Sequence, residues 1–209
     1  MGLLKTAYFG GSFDPPHNGH VAIARAVLER GLAAEVWLAP ALVAPHKEGT
    51  ATLFSDRLRM VELAVAGIEG VTPCGVEGEL GISPSYTFEV LSALKRRHPE
   101  REFALLIGGD MLESLHLWYR AEELVRDFEI ISFPRRSSAV TPEALRRNWS
   151  DNIAAKLYGG LMTEMDFFDI SSTNIRKIVE KSDDASNFIA KSVYEYIIKR
   201  GLYRDGEKG

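Results

Sequence analysis

Short apolar runs and longer stretches with helical spacing take turns along this chain. Residues 4–9, 35–39, 103–107 and 128–133 are runs of strand length. Residues 71–75 form a weaker strand candidate, and 164–168 a sixth. Between them the period changes. Over 20–30 the apolar positions are Val21, Ala24, Val27 and Leu28, with Gly31 placed as a stop. Residues 55–66 read as a second helix, with Ser55 as its N-cap and Gly67 as its stop. A third, 86–97, is ended by Pro99. Short helices are expected at 110–116 and 121–125, and two longer ones at 173–181 and 185–200.

Strand followed by helix, repeated, predicts an α/β fold: a Rossmann-like, doubly wound parallel sheet of about six strands with helices on both faces. Ligands of such a sheet sit at the carboxyl ends of its strands, near the point where strand order reverses. The whole chain, 1–209, reads as a single domain whose part from about 170 to 203 is helical. Residues 134–160 are the least regular and read as an insertion, with a helix starting at Pro142.

Composition narrows the function classes. The chain is 45% apolar and 26% charged with a net charge of −4, which disfavours a general nucleic-acid binder. Cys74 is the single cysteine, so no internal disulfide forms and a reducing compartment is expected. No stretch approaches the roughly 20 apolar residues that span a bilayer, and no secretory leader is apparent. The expectation is a cytoplasmic protein without membrane or nucleic-acid partners, as a monomer or a homo-oligomer.

The chemistry concentrates after the first strand, in Gly10-Gly11-Ser12-Phe13-Asp14-Pro15-Pro16-His17-Asn18-Gly19-His20. Glycines there allow a sharp turn and close backbone approach to a phosphate. Phe13 is placed to fold back as an apolar anchor. His17 and His20, three apart, project from one face at a helix N-terminus, which itself favours anions. Together they predict a polyphosphate site. A zinc site would need further ligands from only His46, His98 and His116. The dinucleotide fingerprint and the P-loop are both absent, because Gly10 and Gly11 are adjacent and no Gly-Lys-Ser/Thr occurs.

This segment resembles the HxGH nucleotidylyltransferase superfamily and, within it, the bacterial nicotinate-nucleotide adenylyltransferases. Further segments are similar in order: Pro45-His46-Lys47; Arg57 with Met60, Glu62 and Leu63; Ser85-Tyr86-Thr87; Leu106-Ile107-Gly108-Gly109-Asp110; Trp118-Tyr119; Ile170-Ser171-Ser172-Thr173-Asn174-Ile175-Arg176; and Gly201-Leu202-Tyr203. The resemblance covers residues 4–203. It implies an ATP site made by Gly10, Gly11, Ser12, Phe13, His17, His20, Ser171, Ser172 and Arg176, with His17, His20 and Arg176 catalytic. It also implies that His46, Lys47, Thr87, Asp110, Trp118 and Tyr119 bind nicotinate mononucleotide, Trp118 by stacking on the ring, Tyr119 through backbone amides near it that read the carboxylate, and Asp110 through ribose. Mg²⁺ is expected to arrive with ATP, and no protein metal site is expected.

The residues support parts of this independently. Ser172 reads as an N-cap, and Arg176 lies one turn further along, able to fork onto phosphate oxygens. Ordinary structural roles also fit several of them. Asp110 could cap a helix, Trp118 and Tyr119 could be core, and His46-Lys47 could be a solvated tip. Arg57 reads as a structural or surface ion-pair residue, and Arg135 and Arg136 as solvated charges. The chain departs from the family at Gly109, where Ala or Gln is commoner, and at Phe133-Pro134-Arg135-Arg136-Ser137, which replaces Arg-Pro-Gly. The expected reaction is adenylyl transfer from ATP to nicotinate mononucleotide, giving nicotinate adenine dinucleotide and pyrophosphate. A preference for nicotinamide mononucleotide, or a non-catalytic nucleotide sensor on the same fold, are the alternatives.

Overall fold

The computed structural model describes residues 2–42, 52–81, 84–136, 138, 140–163, 165 and 170–204. Strands β1 (Leu4–Gly11), β2 (Glu35–Pro40), β3 (Val71–Pro73), β4 (Arg101–Gly108) and β5 (Glu129–Phe133) form one sheet in the order β3-β2-β1-β4-β5. Every neighbouring pair is parallel. The helices are α1 (Asn18–Glu29), α2 (Phe54–Val65), α3 (Val76–Leu80), α4 (Thr87–Arg97), α5 (Gly109–Ser114), α6 (Ala121–Asp127), α7 (Pro142–Arg146), α8 (Asp151–Gly159), α9 (Ser172–Glu180) and α10 (Lys191–Arg200); a 3-10 turn, Leu115–Leu117, follows α5.

The strand centres are mostly apolar because both of their faces are covered. Ala7 and Phe9 of β1, with Ala104 and Leu106 of β4, point into a core shared with α1, α2, α9 and α10. Their neighbours Tyr8, Leu105 and Ile107 point the other way, into a core shared with α4, α5, α6 and α8. Strand alternation thus sorts one continuous apolar run into two cores. Strand order reverses at β1, which lies between β2 and β4, and a crevice opens at the carboxyl ends of β1 and β4.

Several local expectations change. The described sheet has five strands. The chain adds one parallel bridge beyond β5, Ser132 to Leu161, with Ser132 N–H donating to the Gly160 carbonyl at 2.8 Å. The sixth strand expected at 164–168 lies outside the described residues apart from Met165. Helix α2 begins at Phe54 behind Leu53, so Ser55 is not its cap. The last helix begins at Lys191 rather than at 185; Ala185 and Ile189 are buried in the turns before it. Residues 134–160 hold two helices. Thr141 caps α7 by accepting the Ala144 amide at 3.1 Å, and Leu145, Trp149, Ala154 and Leu157 are buried in the second core.

Candidate functional site

Gly10 and Gly11 are the last residues of β1, not a turn after it; they pair with Ala39 and Pro40. Space is the reason for glycine here. A Cβ on Gly10 would lie 3.0 Å from the Tyr8 ring, and one on Gly11 3.2 Å from the Phe13 ring. Phe13 folds back with φ 47° and is 1% exposed, edge-on to Phe9 at 5.5 Å. Its other neighbour is the His20 ring, at 4.9 Å.

His17 caps α1, and its main-chain N–H donates to His20 Nδ1 at 3.1 Å. The two imidazoles stack 3.7 Å apart. Burial lowers the pKa of His17 to about 4, helped by the charge of Arg135. Burial, His17 and Arg135 push His20 well below its ordinary value. Both rings are therefore neutral near pH 7. With Nδ1 of His20 already accepting, its proton sits on Nε2. The imidazoles act here as hydrogen-bonding groups, and Arg135 and Arg176 are cations that line the same cleft.

Helix α9 closes over this loop. Ser171 is its N-cap, accepting the Asn174 amide at 3.2 Å, so the cap lies one residue before the Ser172 expected from sequence. Ser172 is thereby released to donate to the Pro15 carbonyl at 2.9 Å. Arg176 donates to the Asp14 carbonyl at 2.7 Å and to Thr173 Oγ1 at 3.3 Å. Partners 157 and 162 positions apart in sequence thus form one wall.

Under the loop lies Arg57, 2% exposed, which the sequence left as a structural residue. It donates to the carbonyls of Ser12 (3.0 Å), Leu42 (3.3 Å) and Thr52 (3.3 Å). Burial lowers its pKa, while Asp14, Glu77 and Tyr203 counter that. Glu77 accepts from Tyr8 at 2.7 Å and from the Leu42 amide at 2.9 Å. The sequence reading missed Glu77 because it sits in α3, a short helix with no periodic signal.

The far wall is built on the ends of β4 and β5. The N-cap position of α5 belongs to Gly108, so Asp110 is not the cap. Asp110 Oδ1 is buried without a hydrogen-bond partner, 3.9 Å from Arg135 Nε, which is equally unpartnered. Arg135, whose side chain is 38% exposed, lines the cleft. A Cβ on Gly108 would lie 2.4 Å from Asp110 Oδ1, and one on Gly109 would lie 3.0 Å from Ser138 Oγ. The two departures from the family pattern therefore touch: the loop after β5 packs into the space that Gly109 leaves.

One cleft of about 860 Å³ connects these walls. Gly10, Gly11, Ser12, Phe13, His17, His20, Ser171, Ser172 and Arg176 all line it, as do Thr87, Asp110 and Trp118. Tyr119 does not; it is exposed and stacks on Tyr86 at 4.5 Å. His46 and Lys47 lie outside the described residues. Among the described residues no helix is long and apolar enough to cross a membrane.

The model of the cytidylyltransferase-like family matches residues 8–178. A probable nicotinate-nucleotide adenylyltransferase of Geobacillus thermodenitrificans is 35% identical over 201 residues, covering 95% of this chain and 86% of that one. The nicotinate-nucleotide adenylyltransferase of Bacillus subtilis is 34% identical over 203 residues, 96% of this chain and 99% of its own. A solved structure of the Plasmodium falciparum nicotinic acid mononucleotide adenylyltransferase complexed with NaAD superposes with a TM-score of 0.75 at 21% identity, over 96% of this chain and 97% of that one. At that identity the superposition establishes the fold.

Proposed function

The chain belongs to the nicotinate-nucleotide adenylyltransferase family, within the cytidylyltransferase-like proteins, and we propose that it transfers the adenylyl group of ATP to nicotinate mononucleotide. A phosphate oxygen of the mononucleotide attacks the α-phosphorus of ATP. A new P–O bond forms, the α–β P–O bond breaks, and pyrophosphate leaves with the electron pair. The attacking oxygen is already ionised, so no general base is required. What remains is to place the two phosphates in line and to receive charge on the leaving group.

The observation that supports this most is the joined wall. The loop bearing His17 and His20 is hydrogen-bonded to the helix bearing Arg176, and both face the cleft that Asp110 and Trp118 line from the other side. In this reading the His20 Nε2–H donates to a phosphate oxygen, and Arg176 uses its remaining N–H groups there. Arg135 adds a second cation, its Nε free to bond nucleotide oxygens. Thr87 and Trp118 contact the nicotinate end, and Asp110 accepts from ribose hydroxyls. The magnesium ion of Mg-ATP would be held by phosphate oxygens and would neutralise the polyphosphate.

The test is pyrophosphate release with Mg-ATP and, in turn, nicotinate mononucleotide, nicotinamide mononucleotide and phosphopantetheine. Fastest turnover is expected with nicotinate mononucleotide. Faster turnover with the amide would reassign the acceptor, and no release with any of the three would overturn the enzymatic reading.

A further inference from the structure

A carboxylate stands where a polyanion is expected. Asp14 is 4% exposed, lines the cleft, and precedes His17 by three residues. An uncompensated negative charge there would repel ATP. The Arg57 guanidinium beneath the loop offsets that charge, and a hydrogen bond from the far end of the chain fixes the carboxylate. Tyr203, in the turn after α10, donates its hydroxyl to Asp14 Oδ1 at 2.5 Å across a separation of 189 residues. The hydroxyl also lies 3.9 Å from Met60 Sδ. Burial and the adjacent Asp14 push the Tyr203 pKa far upward, so the phenol keeps its proton and remains a donor.

The backbone on both sides of this contact is in an unusual state. Tyr203 has φ 63° and Phe13, next to Asp14, has φ 47°. Non-glycine residues hold this left-handed conformation only where the surroundings over-determine it. General docking of the C-terminus does not require the contact. A second phenol–carboxylate bond, Tyr196 to Asp56 Oδ1 at 2.6 Å, with Arg200 on the same oxygen at 3.2 Å, already ties α10 to α2 away from the donor loop.

We propose that Tyr203 is a positioning residue of the donor site. Its hydroxyl engages the Asp14 carboxylate, holds it against the C-terminal turn, and so keeps the turn from Phe13 to His17 open to the nucleotide phosphates. The inference rests on ATP being the donor.

The experiment compares the full-length parent with Tyr203→Phe and Tyr196→Phe. It measures calorimetric affinity for ATP and for nicotinate mononucleotide, thermal stability, and pyrophosphate release. Tyr203→Phe is expected to weaken ATP about tenfold, the size of one lost hydrogen bond to a charged group, and to leave mononucleotide affinity within about twofold. Tyr196→Phe is expected to lower the melting temperature at least as much while leaving both affinities unchanged. ATP affinity within twofold of the parent in Tyr203→Phe, or an equal ATP loss in Tyr196→Phe, overturns the proposal. A parent that binds ATP but releases no pyrophosphate overturns the reaction alone, and the Tyr203 comparison still stands on binding. A parent that binds no ATP overturns both.

Discussion

The two ends of the cleft are finished differently. At the donor end the protein satisfies most of its own polar groups: Arg57 takes three carbonyls, Ser172 and Arg176 take the carbonyls of Pro15 and Asp14, and Tyr203 takes the Asp14 carboxylate. At the other end Asp110 Oδ1, Arg135 Nε and Ser138 Oγ are buried with no hydrogen-bond partner. Buried polar atoms without partners are costly, and in the proposed reaction the mononucleotide would supply theirs. The donor end is a preformed mould, and the acceptor end a set of groups awaiting oxygens. His17 Nδ1 is a buried unpartnered atom on the donor side, and in the proposed reaction it would face the triphosphate.

The strongest way to break the mould is His20→Ala. The variant removes an Nε2–H donor and the Nδ1 acceptor that fixes the His17 amide. Losing one preorganised donor costs on the order of 3 kcal/mol in transition-state stabilisation. Turnover should fall about a hundredfold or more, with circular dichroism unchanged; near-normal turnover would remove His20 from the mechanism.

The same dryness predicts a pH effect. Burial holds the His17 pKa near 4, against an ordinary value of 6.5. Between those values the unfolded chain binds the proton and the folded chain does not, so stability is complete above pH 6.5 and is lost as pH falls towards 4. For His17 alone the loss at pH 5 is about 2 kcal/mol. Urea unfolding of the parent and of His17→Gln at pH 7 and pH 5 measures it. The variant should lose about that much less on acidification, and equal losses would mean the imidazole is not desolvated.

The acceptor end is broken by adding one carbon. Gly108→Ala places a Cβ where Asp110 Oδ1 now sits, and the carboxylate must turn away. The expected result is a tenfold rise in KM for nicotinate mononucleotide, about 1.4 kcal/mol, with KM for ATP changed less than threefold. If both constants rise together, the two ends are not separable.

Sequence periodicity revealed the sheet because strands buried on both faces leave apolar runs, unbroken in β1, β2 and β4 and interrupted only by Ser132 in β5. It revealed the two halves of the donor wall because each half is a contiguous motif, although the halves meet across 157 and 162 positions. What it did not show depends on distant partners. Arg57 and Arg135 are alike in sequence as isolated cations; only the fold puts one beneath the donor loop and the other beside Asp110. The neutrality of His17 and His20 follows from burial, which residue spacing does not report. Tyr119 adjoins Trp118 in sequence, but its ring turns out onto Tyr86, which bears on the side chain and not on the backbone amides beside it.

The smallest predicted effect separates two adjacent serines. Sequence favours Ser172 as the cap of α9, because a helix reading from Thr173 needs one there. The fold starts the helix a residue earlier, so Ser171 caps it and Ser172 reaches Pro15 instead. Ser171→Ala should therefore cost about 1 kcal/mol of stability, as a lost N-cap does, and weaken ATP less than twofold. Ser172→Ala should do the opposite: a smaller loss of stability, but a few-fold rise in KM for ATP, because the loop bearing the histidines loses a hydrogen bond to α9. Melting curves and ATP titrations on the two variants decide the assignment. A reversed pattern would return the cap to Ser172 and leave Arg176 as the link between the helix and the loop.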